Sequence, residues 1–377
     1  MMYHLTREQL LQDLHIAFAD AKRHKAKKHY VMRFEQQLER NLQVLCNELW
    51  NRTYQPRPST CFIITDPKKR EVFAADFCDR IVHHLYYNYT HELFERTFIQ
   101  DAYSCISGRG THYGINRLQQ HIRQESCNYS VPCYVLKMDI RGYFMHINRV
   151  RLLEICIRTL RRMATHRVLN RVPITWQDKM DMEFVDYLTR TIVLLNPVSN
   201  CNRIGDLSEW SDLPYDKSLF HSPQGCGLPI GNLTSQLFSN VYLNELDQYV
   251  KRVLHCRHYG RYVDDFYVVS SDRLFLHSII SQVRDFLAAY LGLALHEGKI
   301  QILPIQYGVG FLGVYLKPWR QTVLKSSLQR MNKKCEVITM DMHDGKVSLR
   351  RAAATISSFR GILSHGYNGT IKKNVEL

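Results

Sequence analysis

Apolar residues recur along the chain with two periods, and the switches between them lay out its elements. Val31, Phe34, Leu38, Leu42, Leu45 and Leu49 return every three to four residues, which predicts one buried helical face. A first helix precedes them, opened by Thr6-Arg-Glu-Gln9 as a capping box. Over 54–73 the sequence turns Pro-punctuated and β-prone, predicting a hairpin with Lys68, Lys69 and Arg70 at its tip. A helix is expected over 79–94, a glycine-rich turn at 107–111 and another helix over 114–121. Tyr134-Val-Leu-Lys-Met-Asp139 reads as a compact strand that ends on an acid. Helices follow near 150–163 and 176–195, then a long loop over 196–227 rich in Asn, Ser, Pro and Gly. A turn at 227–231 leads to Asn232, placed to cap a helix with Leu233, Leu237, Val241 and Leu246 on its apolar side. Next come two apolar, β-prone runs around Tyr262-Val-Asp-Asp265, a hairpin with acids at its tight turn. A helix over 273–290, a short strand after 293–299, a Gly-bent hairpin over 308–315 and a helix over 349–363 complete the pattern.

Composition adds a partner to this outline. With 377 residues, 45% of them apolar and 23% charged, the chain can bury a large core and has no disordered bias. Its 50 basic and 35 acidic residues give +15, which favours a polyanion. No apolar run reaches the ~18 residues of a spanning helix, and no apolar signal core opens the chain. Nucleic acid is therefore expected rather than membrane. From Lys317 onward, twelve Lys or Arg face four acids, so the expected helical terminal module is basic. A second basic run, Lys22-Arg-His-Lys-Ala-Lys-Lys28, follows the first helix. Eleven cysteines stand singly with no Cys-x-x-Cys pair, which predicts reduced thiols and no structural zinc.

Chemistry enters with the acids. If a sheet brings strand-terminal Asp139 to the turn acids Asp264 and Asp265, three carboxylates share one spot. Two unit charges ~5 Å apart repel by about 3 kcal/mol at an effective dielectric of 20, so such a cluster needs protons or cations. Hard Mg²⁺ suits oxygen ligands, and a pair of such ions serves phosphoryl transfer by activating one oxygen and stabilising another. Lys68, Arg70 and Arg80 are then candidates to hold a triphosphate.

In this order the motifs resemble those of reverse transcriptases over roughly residues 50 to 320. Asp139-Ile-Arg-Gly-Tyr-Phe144 is similar to the first palm motif, 227–236 to the second and Tyr-Val-Asp-Asp to the third. Leu295 to Lys299 resembles the fourth, Phe311-Leu-Gly313 the primer grip, and Arg70 with Asp79-Arg80 the fingers motifs. The resemblance implies an α+β right-hand polymerase. It would comprise an N-terminal helical extension (1–53), fingers with part of the palm (54–132), a palm with an antiparallel sheet and an insertion at 150–226 (133–316), and a small basic helical thumb (317–377). It further implies Asp139, Asp264 and Asp265 as catalytic ligands of two Mg²⁺ ions, with Mn²⁺ as the alternative ion. Lys68, Arg70, Arg80, Phe144, Ile230, Gln236 and Lys299 would bind nucleotide, with Phe144 as steric gate against a ribose 2′-hydroxyl and Lys299 beside the pyrophosphate. Phe144 also fits simple core packing, and Lys299 a solvated surface position.

Within the family the second palm motif usually reads Gln-Gly-x-x-x-Ser-Pro, whereas here it is Ile230-Gly-Asn-Leu-Thr-Ser-Gln236. With Lys217-Ser-Leu-Phe220 upstream, this is similar to diversity-generating retroelement enzymes. That subtype implies a template-repeat RNA copied into cDNA with errors opposite adenine. Its partners would be a primer strand, deoxynucleoside triphosphates and a small basic helical accessory variability protein that assembles as a pentamer, in a bacterial or phage-encoded cytoplasmic setting. The alternatives are a retron or group II intron-type enzyme, disfavoured by Ser235-Gln236, and a non-catalytic RNA-binding scaffold, which has no use for three repelling carboxylates.

Overall fold

The computed structural model describes residues 3–66, 68–167 and 174–366. Pro67 at the expected hairpin tip, and Lys372 and Lys373 of the basic tail, lie outside the described residues. In chain order the elements are helices α1 (Arg7–Lys22), α2 (His29–Glu35) and α3 (Leu38–Trp50), strands β1 (Ser59–Ile64) and β2 (Arg70–Ala74), helices α4 (Phe77–Glu95) and α5 (Thr111–Glu125), and strand β3 (Tyr134–Asp139). Helices α6 (Tyr143–His146), α7 (Arg149–Ala164) and α8 (Met182–Val193) follow, then strand β4 (Cys201–Arg203) and helix α9 (Leu233–Arg252). Strands β5 (His258–Tyr262) and β6 (Asp265–Ser270), helix α10 (Arg273–Phe286), strands β7 (Gln301–Pro304), β8 (Val309–Phe311), β9 (Val314–Lys317) and β10 (Arg320–Val323), and helices α11 (Lys325–His343) and α12 (Leu349–Gly366) complete the chain. The class is α+β, as the sequence led us to expect.

Two compact units divide these elements. The first comprises Met1–Ile99, Ile140–Val253 and Val283–Leu295. In it α4 packs against α1, α7, α8 and α9, and Leu10, Leu42, Leu45, Val82, Leu152, Leu188 and Leu246 are fully buried. The predicted face from Val31 to Leu49 is interrupted: α2 and α3 are separate helices, and the Asn41 side-chain amide donates to the Phe34 carbonyl at 2.8 Å across the break. Only half of the expected capping box forms. Thr6 accepts from the Gln9 backbone, while the Gln9 side chain reaches forward to Asp13 at 3.0 Å. Asn232 stands at the N-cap of α9 but accepts from the Ala75 backbone N–H at 3.3 Å instead of capping its own helix. The predicted loop over 196–227 carries strand β4, parallel to β1 in a sheet ordered β2-β1-β4, and three short 3₁₀ turns. A strand of three residues leaves no periodicity to read, so its partner on β1 was invisible.

The second unit comprises Gln100–Asp139, Leu254–Gln282 and His296–Leu377. An antiparallel sheet ordered β5-β6-β3-β7 packs under α5, and a smaller sheet is ordered β10-β9-β8. The basic terminal segment thus opens with a strand, and α11 precedes the expected helix. Tyr103, Leu118, Val135, Tyr267, Val309 and Phe311 form the core. A polar chain runs through it: the Tyr103 and Tyr267 hydroxyls meet at 2.7 Å, His121 Nδ1 lies 3.1 Å from Tyr267, and Arg117 donates to buried Asp101 at 2.7 Å. This chain runs against the backbone of β5 at Gly260, where a β-carbon would stand 2.2 Å from the Tyr103 hydroxyl and 2.6 Å from that of Tyr267. Gly260→Ala is therefore expected to lower stability in urea denaturation by about 3 kcal/mol. A near-neutral result would contradict this packing.

Candidate active site

Strand register builds the site. In the β3–β6 ladder Tyr134 faces Ser270, and each step brings the acids closer until Asp139, last in β3, faces Asp265, first in β6. Tyr262 pairs with Asp265 across the β5–β6 hairpin, so its loop is the two residues Val263 and Asp264. Two-residue hairpins need positive φ, usually from Gly or Asn. Here Val263 takes φ +55°. For a β-branched residue that conformation costs of order 1–3 kcal/mol and persists only when its surroundings enforce it. Arg261 supplies the brace: only 1% exposed, it donates from Nη1 to the Val263 carbonyl at 3.0 Å. Its own backbone is tied to the Asp101 carbonyl and the Tyr103 N–H, each at 2.9 Å.

Two lysines answer the acids. Lys299 ends a single 3₁₀ turn (Glu297–Lys299) and places Nζ 2.8 Å from Asp139 Oδ2, with its side chain 53% exposed. Lys137 lies two residues before Asp139 on β3, hence on the same face. Its Nζ is 3.8 Å from Asp265 Oδ1 and 5.8 Å from the Phe311 ring centre. Burial, and after it the negative Asp139, push Asp264 up to about 6, with Lys299 opposing. Asp265 is raised as well, by burial first, with Lys137 pulling against it. Among the described residues no three His, Cys, Asp or Glu side chains are grouped as a ready-made ion cage. The donor chemistry nevertheless fits a hard divalent ion, since oxygen is the only ligand atom that the three acids offer.

The other sequence-derived candidates fall in two places. Phe311 belongs to the second unit. Buried, it sets its ring edge-on to Tyr267 at 5.3 Å, and Leu312 and Gly313 make the tight β8–β9 turn at φ +46° and +89°. In the first unit, Phe144 and Ile230 pack into one apolar cluster with Cys61, Phe73, Met145 and Leu219. The Phe144 carbonyl accepts from Leu228, and that of Ile230 from Phe73. Arg70 is exposed at the start of β2 rather than at the tip, Lys68 is exposed in the tip, and Gln236 is exposed on α9. Arg80 is engaged internally, donating to the Ala75 carbonyl at 2.8 Å and the Tyr30 hydroxyl at 3.0 Å. Its neighbour Asp79 is buried, accepting from the Tyr54 hydroxyl at 2.6 Å and the Arg57 backbone at 2.8 Å. Burial still lifts it to about 6.

Sequence reasoning passed over Lys137, Arg261 and Glu71. Lys137 was legible from its two-residue spacing to Asp139. Gly260 inside a strand was the one hint of the close packing beside Arg261. The partners of Glu71 are distant in sequence and left no signal.

Acids at the ends of adjacent antiparallel strands, each of two paired with a lysine, form the candidate site. Comparison with known proteins names the family. Residues 76–316 match the family model described as reverse transcriptase (RNA-dependent DNA polymerase), and the chain belongs to that family. Protein YkfC of Escherichia coli (strain K12) is 25% identical over 310 residues, which cover 72% of this chain and 70% of that one. Two solved structures are similar at lower identity. Apo telomerase from Candida tropicalis matches at 11% identity and a TM-score of 0.48, over 72% of this chain and 49% of that one. Telomerase from Candida albicans, in complex with a TWJ fragment of telomeric RNA, matches at 9% and 0.47, over 75% and 50%. The chain thus spans about half the length of these telomerase chains.

The raised Asp264 makes a stability prediction. Its folded value, about 6, exceeds the ordinary 3.8, so ionising it costs the fold. Its contribution is favourable below pH ~4 and is lost as pH rises through about 6. In buffer without divalent ions, Asp264→Asn should be more stable than wild type at pH 7, by at most about 3 kcal/mol. The gap should close below pH 4 in thermal denaturation; a less stable variant at pH 7 would contradict the electrostatics.

Proposed function

We propose that this chain is an RNA-directed DNA polymerase of the diversity-generating retroelement type. It copies a template-repeat RNA into cDNA by two-metal-ion nucleotidyl transfer, with relaxed fidelity opposite template adenines. The observation that carries the reading is the convergence of Asp139, Asp264 and Asp265 at one end of the β3–β6 ladder, inside the residues matched to the family. Asp139 and Asp264 would hold Mg²⁺ (or Mn²⁺), with Asp265 supporting the ion near the primer end. Bound there, the ions would supply Lewis acidity to the primer 3′-oxygen and the phosphates. The chain's own groups do the rest. Arg261 fixes the backbone that presents Asp264, Lys299 carries a proton at Nζ for the departing pyrophosphate, and Lys137 keeps Asp265 oriented when the acids ionise. The Phe311–Gly313 turn would grip the primer.

Selection falls to residues of the other motifs. Phe144 gates the 2′-hydroxyl, Arg70 and Lys68 reach the triphosphate, and Ile230 and Gln236 line the nucleotide and templating base. Arg80, held by Ala75 and Tyr30, acts in this reading by shaping the fingers segment. An apolar Ile230 offers no directed polar contact to enforce geometry, which supports relaxed discrimination. Fingers over 54–132, palm over 133–316 and thumb over 317–377 follow the family's motif order. Helices α11 and α12 bring Lys325, Arg330, Lys333, Lys334, Arg350, Arg351 and Arg360 to the terminal segment. That charge suits the template RNA and primer, with the basic accessory variability protein as a further partner. No helix among the described residues is long and apolar enough to cross a membrane.

Primer extension on an RNA template with deoxynucleotides and Mg²⁺ tests the reading. Asp264→Asn should cut the rate by roughly 10³-fold or more, and activity surviving in it would refute the site. Ile230→Gln should lower misincorporation opposite adenine several-fold relative to other template bases. An unchanged error spectrum would remove the proposed cause of low fidelity.

A further inference from the structure

Glu71 on β2 is 1% exposed, and its carboxylate is consumed by three neutral donors from the segment over 210–219. Trp210 Nε1 and Ser218 Oγ donate to Oε2 at 2.8 and 2.9 Å, and the Leu219 backbone N–H donates to Oε1 at 2.7 Å. Around this junction the insertion lies along the hairpin. Strand β4 runs parallel to β1, Lys69 meets Asp212 at 3.7 Å, and the Phe220 ring lies 5.8 Å from Phe73 with the Arg203 guanidinium over it at 3.5 Å. Leu219, Trp210 and Phe220 then enter the same apolar cluster as Phe144 and Ile230. One buried carboxylate therefore sets where a wall of that cluster stands.

We infer that Glu71 is a positioning residue for nucleotide selection, and that residues 201–221 of the 150–226 insertion are the clamp through which it holds Phe144 and Ile230. The inference rests on the proposed polymerase reading, and on Phe144 as gate. A buried carboxylate that accepts three hydrogen bonds cannot be replaced by an amide without setting an NH₂ against one of the donors. In Glu71→Gln either the Leu219 N–H or the Trp210 N–H loses its acceptor, and the wall behind Phe144 gains freedom. Trp210→Phe removes a single donor and leaves a ring in the cluster.

The test uses the full chain in primer extension and compares kcat/KM for a deoxynucleotide and the matching ribonucleotide. That ratio does not depend on how much of a preparation is active, so simple loss of folded protein leaves it unmoved. Amide hydrogen exchange over 201–221 is followed in parallel. For Glu71→Gln the ratio should fall by roughly fivefold or more, with a smaller fall for Trp210→Phe. Exchange at Leu219 and its neighbours should quicken about tenfold. Phe144→Ala is the reference. If it collapses the ratio while Glu71→Gln leaves ratio and exchange alone, the clamp is overturned and the gate stands. If Phe144→Ala also leaves the ratio unchanged, the gate reading fails and the inference falls with it. Rates that drop equally for both sugars in Glu71→Gln mark a merely structural residue and overturn the inference.

Discussion

Mutual repulsion among Asp139, Asp264 and Asp265 is the constraint that the second unit is built to bear. That repulsion adds to the burial that already raises Asp264 and Asp265. A flexible loop would relieve it by swinging one acid away. The ladder prevents that for Asp139 and Asp265, which are fixed opposite each other by six residue pairs of β3 and β6. Asp264 is held differently, by a two-residue turn whose leading Val263 is itself in an unfavourable conformation. Buried Arg261, tied through its backbone to Asp101 and Tyr103, holds that turn in place. Lys299 at Asp139 and Lys137 at Asp265 then offset part of the charge. Strain, a buried cation and two ion pairs are all arranged around carboxylates that stability alone would not keep.

The first unit uses acids the other way round. Asp79 and Glu71 are buried and wholly engaged in joining segments far apart in sequence: Asp79 draws in Tyr54 and Arg57, and Glu71 draws in Trp210, Ser218 and Leu219. Each stands beside an arginine in sequence, and the two arginines differ. Arg70 is exposed, whereas Arg80 is bonded to Ala75 and Tyr30. A sequence motif of paired opposite charges here combines one residue that shapes the fold with another that faces outward or braces a neighbour.

The ladder's elements were legible because they obey local rules. Tyr134–Asp139 is apolar and ends on its acid, and Tyr262-Val-Asp-Asp265 lies between β-prone runs, so both strands and their turn could be read from the chain. Helices α4, α7 and α9 carried enough apolar periodicity to be placed within a few residues. What escaped was nonlocal or too short. Strand β4 has three residues and a partner on β1, and β10 exists through its pairing with β9. Helix α11 buries only Ser327 and Met331, leaving no stripe to detect. The α2–α3 break was masked because both helices continue one apolar face. Glu71 and Arg261 matter through contacts with Trp210 and with the Asp101–Tyr103 backbone, which no spacing in the sequence announces.

The distribution of the candidates bears on how a polymerase could lose fidelity without losing activity. Every residue proposed for bond formation, Asp139, Asp264, Asp265 and Lys299 among them, belongs to the second unit, and Phe144, Ile230, Arg70 and Gln236 belong to the first. The charged group depends on directional contacts, in which an error of a few tenths of an ångström is costly. The apolar cluster around Phe144 and Ile230 depends on burial, which is nondirectional and tolerates small shifts. On the proposed reading, Ile230 in place of a hydrogen-bonding side chain would relax orientation in that cluster and leave the carboxylates unchanged. In the proposed reading errors would rise through the wall of that cluster, which Glu71 joins to β2 through its bond with Leu219.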